Sequence, residues 1–332
     1  MKGLVMRGSR NIFTVRPDRP LPSDQGPVSS TPDQGSNQAG SGQAGAEIEC
    51  RIKGKVLKNR EGYYNPLAPG DRVILEDPVQ GKALILEAEE RKNYLTRFNQ
   101  KGGKRQVLAA NLDCLLCVTT PVSPPFRPRF LDRILVQSEI AGLRAIILCN
   151  KYDLLKQAGP YGDGAVEERL EDYVRIGYEV MRVSARTGWG MDTLRSLTAG
   201  KISVLLGQSG VGKSSIINAL APGTNMKTGG LNEKYHRGNH TTSLSVMLET
   251  SPATYVIDTP GIRRMVPDGI GPGELALYMR EFAPLQGRCT YGLSCSHLTE
   301  PGCKVLEALR DGRIHPDRYE SFVRLRDELA SL

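Results

Sequence analysis

"LLGQSGVGKSS", residues 205–215, follows the apolar strand pattern "KISV" and runs straight into the helical pattern "KSSIINAL". Gly207 to Ser214 fit G-x-x-x-x-G-K-S. In such a strand–loop–helix unit the backbone N–H groups of Gly207, Gln208, Ser209, Gly210, Val211, Gly212, Lys213, Ser214 and Ser215 converge on a phosphate chain. Lys213 neutralises the β/γ oxygens, and the Ser214 hydroxyl is a ligand for Mg²⁺. A phosphate loop with correct flanks commits this part of the chain to an α/β sheet with ligands at the strand C-termini.

Upstream, "CNKYDL" at 149–154 ends an apolar run. In N-K-x-D the Asp153 carboxylate accepts from guanine N1–H and the exocyclic N2 amine, two donors that adenine lacks at that edge. Asn150 is expected at the N7/O6 edge, with the Lys151 stem along the ring face. "SARTGWG" at 184–190 ends the next strand pattern; a backbone N–H near Ala185 is expected at guanine O6, and Ser184 beside it is a further GTP-binding candidate. "DTPG" at 258–261 follows "TYVI": Asp258 is expected to hold Mg²⁺ through a water and Gly261 to sense the γ-phosphate. Between them "GNHTTS" at 238–243 offers Thr241 or Thr242 as the switch threonine on Mg²⁺. Five nucleotide-binding elements are present, but the base readers precede the phosphate loop. Joining the old termini of a parallel sheet and opening new ones gives that order, so the sequence reads as a circularly permuted GTPase domain.

Working outward, "NLDCLLCVTT", "RAIILCN", "EVMRVSA", "KISVLLGQ", "LSVMLET" and "TYVIDTPG" are strand patterns. "RFLDRILVQSEIAG" and "AVEERLEDYVRIG" carry helical spacing and stop at glycines. Together they predict a doubly wound parallel sheet over 109–267. Before it, "GLVMRGSRNIFTV", "EIECRIKGKV", "DRVILEDP" and "GKALILEAEERK" are short alternating runs split by turns, which predict an OB-like barrel over 1–108. Residues 17–46 are Pro, Gly, Ser, Gln and Ala with little apolar bulk, and they read as a disordered insert in that barrel. After Gly261 the strands stop; "GELALYMREFAPL", "KVLEALRDG" and "PDRYESFVRLRDELASL" read as helices of a small domain over 268–332.

The chain of 332 residues carries a net charge of +8. From Arg51 to Arg105 there are thirteen Lys/Arg against seven Asp/Glu, so this segment supplies six of the eight. That bias suits a polyanion, most simply RNA, and Arg91, Lys92, Lys101, Lys104 and Arg105 are the candidate contacts. A solvated surface is the alternative use of the same charges. No apolar run approaches the roughly eighteen residues that span a bilayer. The opening "MKGLVMRGSRNIFTV" lacks the apolar core of a signal peptide, which points to the cytoplasm; an organelle-targeting precursor is the alternative. Cys114 and Cys117 have C-x-x-C spacing, but inside a strand pattern they face opposite sides and read as buried thiols.

These motifs, taken with the barrel pattern and the C-terminal cysteines, resemble the RsgA-type (YjeQ/YloQ-like) small-subunit GTPases over nearly the whole chain. The resemblance implies a late assembly factor, a GTP hydrolase that binds the immature small ribosomal subunit and its rRNA. It also implies hydrolysis stimulated by that subunit and promoting departure. A nucleotide-gated RNA-binding module with negligible turnover and a signalling GTPase with a protein partner are the competing readings. A monomer that cycles between GTP and GDP is expected.

"CTYGLSCSHLTEPGC" supplies Cys289, Cys295, His297 and Cys303, a Cys₃His set suited to one structural Zn²⁺. It departs from the family pattern by one extra residue between the first two cysteines, near Gly292. A further question is the catalytic group. Ile262 follows "DTPG" and has no polar atom to orient a water. His240, before the switch threonines, is the nearest candidate, and the resemblance points to the same histidine; packing or an RNA contact is its alternative use.

Overall fold

The computed structural model describes residues 1–9, 11–19, 47–54, 57, 60, 62–79, 81–99, 103–158, 163–222, 245–259 and 265–331. Five strands, β1 (Lys2–Ser9), β2 (Ile12–Pro17), β3 (Ile48–Ile52), β4 (Arg72–Leu75) and β5 (Lys82–Ala88), close into a barrel in the order β1-β2-β3-β5-β4. Alternation sends Val5, Phe13, Val15, Ile48, Cys50, Val73, Leu75 and Ile85 into its core. Residues 20–46, most of the expected insert, connect β2 to β3 and lie outside the described residues. Closure leaves the barrel without a free sheet edge, in keeping with the OB-like barrel that the alternating runs predict.

A separate hairpin, β6 (Tyr94–Asn99) with β7 (Lys104–Ala110), joins the barrel to the next layer. Its Leu95, Leu108 and Ala109 share one apolar cluster with Leu4 and Met6 of the barrel and Leu115 and Ile147 of the central sheet. Gly70 makes the close approach possible: φ is +92°, and a Cβ there would lie 2.0 Å from the Ala110 carbonyl oxygen.

The central sheet comprises β8 (Cys114–Thr119), β9 (Arg144–Cys149), β10 (Glu179–Arg182), β11 (Ile202–Gly207), β12 (Val246–Ser251) and β13 (Thr254–Asp258), in the order β10-β9-β8-β11-β13-β12. Five strands are parallel, and β12 pairs antiparallel with β13 at the edge. The helices are α1 (Pro128–Ile140), α2 (Asp163–Arg175), α3 (Met191–Thr198) and α4 (Lys213–Leu220). Leu131, Ile134 and Leu135 of α1 and Leu170 and Tyr173 of α2 cover the face that holds Leu115 and Cys117. Leu194 of α3 with Ile216 and Ile217 of α4 covers the other face, which holds Cys114 and Leu116. The two β8 cysteines are therefore buried on opposite faces, and burial pushes both thiols up.

Beyond Met265 the backbone makes short 3₁₀ turns at Leu275–Tyr278, Ala283–Leu285 and Gly292–Ser294, then α5 (Lys304–Arg310) and α6 (Pro316–Ala330). The helix expected over "GELALYMREFAPL" is thus two 3₁₀ turns. Met279 and Phe282 between them are buried in the C-terminal core beside Phe322 and Val136 of α1, and Pro284 interrupts the pattern. Among the described residues no helix is long and apolar enough to cross a membrane.

Candidate functional site

Parallel pairing brings the ends of β8, β9 and β11 level: Thr119 lies opposite Cys149 and Val118 opposite Gly207. From β8 the chain winds outward through β9 and β10, and from β11 it winds through β13 the other way. The loops after β9 and β11 therefore open beside one crevice, where doubly wound sheets bind ligands.

Asn150 ties these loops together. Its side-chain Nδ2 donates to the Val211 carbonyl at 2.8 Å, and its Oδ1 accepts from the Ala185 N–H at 3.1 Å, in a residue 1% exposed. One of its amide hydrogens and its oxygen are thus spent inside the protein. Gly212 accommodates the tie, since φ is +92° and a Cβ there would lie 2.4 Å from Asn150 Nδ2. Lys151 Nζ donates to the carbonyls of Ser123 and Gly210, both at 2.7 Å, which lays its stem across the floor of the crevice.

Asp153 accepts from the Ser184 hydroxyl at 2.6 Å and from Arg186 at 2.7 Å. The Ser184 hydrogen bond, followed by the Arg186 guanidinium, holds its carboxyl below the ordinary range, so it faces the crevice as an anion. At the phosphate end Lys213 Nζ donates to the Gly207 and Gln208 carbonyls, each at 2.9 Å, and burial lowers its pKa. Ser214 and Ser215 begin α4 directly behind it. A cleft of about 490 Å³ runs from Gln208 to Asp317 on α6, with Arg127, Arg129 and Arg133 in its wall.

Asp258 ends β13 with 5% exposure, and among the described residues its Oδ1 has no hydrogen-bond partner. Burial pushes its carboxyl up to about 6, against the opposing pull of Lys213. An orphaned carboxylate oxygen near Lys213 fits the hard-oxygen chemistry of a hydrated Mg²⁺. His240, Thr241, Thr242 and Gly261 lie outside the described residues.

Cys289, Cys295, His297 and Cys303 form a second, closed cluster whose donor atoms all lie within 4.8 Å of one another. Cys289 Sγ is 3.6 Å from His297 Nδ1 and 3.9 Å from Cys303 Sγ, and His297 Nδ1 is 3.4 Å from Cys303 Sγ. Sulfur at about 2.3 Å and nitrogen at about 2.0 Å from one tetrahedral centre give edges of roughly 3.5–3.8 Å, so the donor set fits Zn²⁺. His297 Nε2 meets Gln286 Oε1 at 3.1 Å, which fixes the tautomer with Nδ1 free for a metal. Gln286 was not anticipated. Between Cys289 and Cys295 the chain makes the 3₁₀ turn Gly292–Ser294, where Leu293 is 80% exposed, so an added residue there is accommodated at the surface.

The basic segment divides. Arg91 is not a surface group: it pairs through two nitrogens with fully buried Asp71, at 2.8 Å each, and donates to Pro66 O. This pairing gives Arg91 a structural role that competes with the expected nucleic-acid contact, because Asp71 needs a cation once buried. Arg105 is exposed but pairs with Asp268 at 2.9 Å. Lys92 and Lys104 are exposed, and Lys101 lies outside the described residues.

The family model described as RsgA GTPase matches residues 88–266. The small ribosomal subunit biogenesis GTPase RsgA of Chlorobaculum parvum is 38% identical over 294 residues, covering 86% of this chain and 92% of that protein. The crystal structure of YjeQ from Thermotoga maritima superposes with a TM-score of 0.73 at 30% identity, covering 100% and 99% of the two chains. That of YloQ, a circularly permuted GTPase, has a TM-score of 0.68 at 24% identity, covering 99% and 95%, and speaks to the fold.

Proposed function

We propose, from the premise that this chain belongs to the RsgA GTPase family, that it hydrolyses GTP as an assembly factor of the small ribosomal subunit. The observation that carries this reading is the bond from Asn150 Nδ2 to Val211 O, which closes a base reader and a phosphate loop into one crevice despite their reversed order.

In this reading Asp153 accepts from the guanine N1–H and N2 amine, and the N–H groups of 207–215 cradle the phosphates. Lys213, held in the crevice by two loop carbonyls, turns its charge to the β/γ oxygens. Ser214 and Asp258, with Thr241 or Thr242, would hold the Mg²⁺ that supplies further charge neutralisation. His240 orients the attacking water, and Gly261 senses the γ-phosphate. Cys289, Cys295, His297 and Cys303 hold one structural Zn²⁺, because a closed four-ligand site leaves no position for substrate. Lys92, Lys104 and Lys101 contact rRNA. The protein works in the cytoplasm as a monomer, late in subunit maturation, and turnover promotes its release.

The test is phosphate release from GTP with and without purified small ribosomal subunits. Subunits are expected to accelerate GTP hydrolysis and to leave ATP untouched. Equal, negligible turnover in both conditions would favour a nucleotide-gated RNA-binding module instead.

A further inference from the structure

At the base end of the crevice, the groups that would face a nucleotide are already paired inside the protein. Asn150 and Ala185 bind each other, and Lys151 is held by two carbonyls. The loop carrying Ala185 is fixed as well: the Ser184 N–H donates to Trp189 O at 2.9 Å, and the Thr187 N–H donates to the Ser184 hydroxyl at 3.2 Å. The two bonds at Ser184 are short and local, so a base lying over this loop need not break them.

Arg186 is different. Its side chain is 76% exposed, yet its NH2 group reaches Asp153 Oδ2 at 2.7 Å, while Oδ1 is taken by Ser184. Guanine's two donors call on both carboxylate oxygens, and on Oδ2 an exposed arginine already stands. The chemical likeness is close. The N1–C2–N2 edge of guanine is a planar N–C–N fork of N–H donors, as is a guanidinium. A base that brings both donors to Asp153 competes with Arg186 for Oδ2.

We propose that Arg186 is an internal stand-in for guanine, holding the Asp153 carboxylate when the crevice is empty and leaving when the base arrives, so that this residue sets the affinity for guanine nucleotides. The inference rests on the guanine reading of Asp153. A mostly exposed ion pair is weakly held and screened by salt, so it can compete with the base without excluding it. An arginine on the empty carboxylate also keeps Asp153 compensated during exchange. Moving it requires only side-chain rotation, whereas displacing Asn150 would open the joint between the two loops.

The test measures GDP and ADP binding to the nucleotide-free full-length protein through the emission of Trp189. This is the chain's sole tryptophan, its ring centroid 5.3 Å from that of Tyr152 in the base-reading loop. Arg186→Ala and Arg186→Gln are expected to bind GDP about two- to fivefold more tightly at low salt, the range an exposed ion pair supplies. The gain should shrink toward unity at high salt. Equal or weaker GDP binding by both variants would overturn the proposal, since the arginine would then cover the ring or only brace the loop. A parent that does not prefer GDP to ADP would instead overturn the guanine reading beneath it.

Discussion

The guanidinium of Arg318 on α6 lies 2.8 Å from the carboxylate of Asp132 on α1, and both side chains are almost wholly buried. Arg318 also binds Glu281 through Nε at 2.6 Å and NH2 at 3.0 Å, and the Tyr173 hydroxyl donates to Asp132 at 2.6 Å. One buried network thus fastens the C-terminal helices to two helices of the nucleotide domain. Arg318→Ala takes the paired guanidinium from buried Glu281 and Asp132, leaving Asp132 the more distant Arg169 at 3.8 Å, a loss of about 3–5 kcal/mol. Chemical denaturation should show that loss in a single transition shared by both parts. A C-terminal transition that separates in the parent would contradict the joint.

Asp153 offers an anion where guanine presents donors. Asp153→Asn replaces one oxygen by an NH₂ donor, which opposes the guanine N2 amine but suits the xanthine O2 carbonyl. GTP affinity should fall by at least tenfold, in keeping with about 1.5–3 kcal/mol for hydrogen bonds to a charged group, while xanthosine triphosphate binding rises. Competition binding with both nucleotides checks it; unchanged GTP affinity would remove Asp153 from the base site.

Much of this was legible because the signals are local. The phosphate loop, "NKYD" and the alternating barrel strands depend on neighbours in sequence. The rest depends on contacts that periodicity does not encode. The hairpin β6–β7 was hidden in a segment read for its charges, and a bulge between Leu95 and Thr96 breaks its alternation. The antiparallel direction of β12 leaves no mark on a strand pattern. Arg91 looked like its exposed neighbour Lys92, and only the buried carboxylate of Asp71 tells them apart. Gln286 is an ordinary polar residue in sequence until the fold sets it against His297.

That contact has its own consequence. Gln286→Ala removes the acceptor that orients His297 and should weaken zinc retention by about 10- to 100-fold, as loss of a hydrogen-bond partner to a metal-ligating histidine commonly does. Cys303→Ser removes a ligand and should leave the C-terminal core unfolded. Titration with a competing chelator, monitored by released zinc, distinguishes the two: graded loss in the first, no stoichiometric metal in the second.

Asp258 links pH to nucleotide. With its folded-state pKa raised from 3.8 to about 6 by burial, the empty protein binds a proton more readily than the unfolded chain does. The associated stability is fully present below pH 3.8 and is lost as pH rises through about 6. At neutral pH the buried anion is therefore a cost in the absence of Mg²⁺. Asp258→Asn should stabilise the nucleotide-free protein at pH 7.5 by on the order of 1 kcal/mol and flatten its melting profile between pH 4 and 6. GTP hydrolysis should be lost. A variant less stable than the parent across that range would show that Asp258 serves the fold.

The last prediction separates two kinds of basic residue that the sequence presents alike. Binding of a polyanion releases counterions, so each lysine at an RNA interface adds to the salt dependence of affinity. Lys92 and Lys104 are exposed, on the loop before β6 and at the start of β7. Lys92→Glu with Lys104→Glu should weaken binding to the small subunit and lower the slope of log affinity against log salt by about one to two, with the melting temperature unchanged. Arg91→Ala should do the reverse: it strips buried Asp71 of one of its two arginine partners, the other being Arg60 at 2.9 Å, and so costs stability first. Any loss of subunit binding in that variant should track its unfolded fraction and leave the salt slope of the folded protein intact. If the double lysine variant binds with the parent's affinity and slope, this face of the hairpin points away from the subunit. If Arg91→Ala lowers the slope without lowering stability, its guanidinium reaches RNA despite its burial against Asp71.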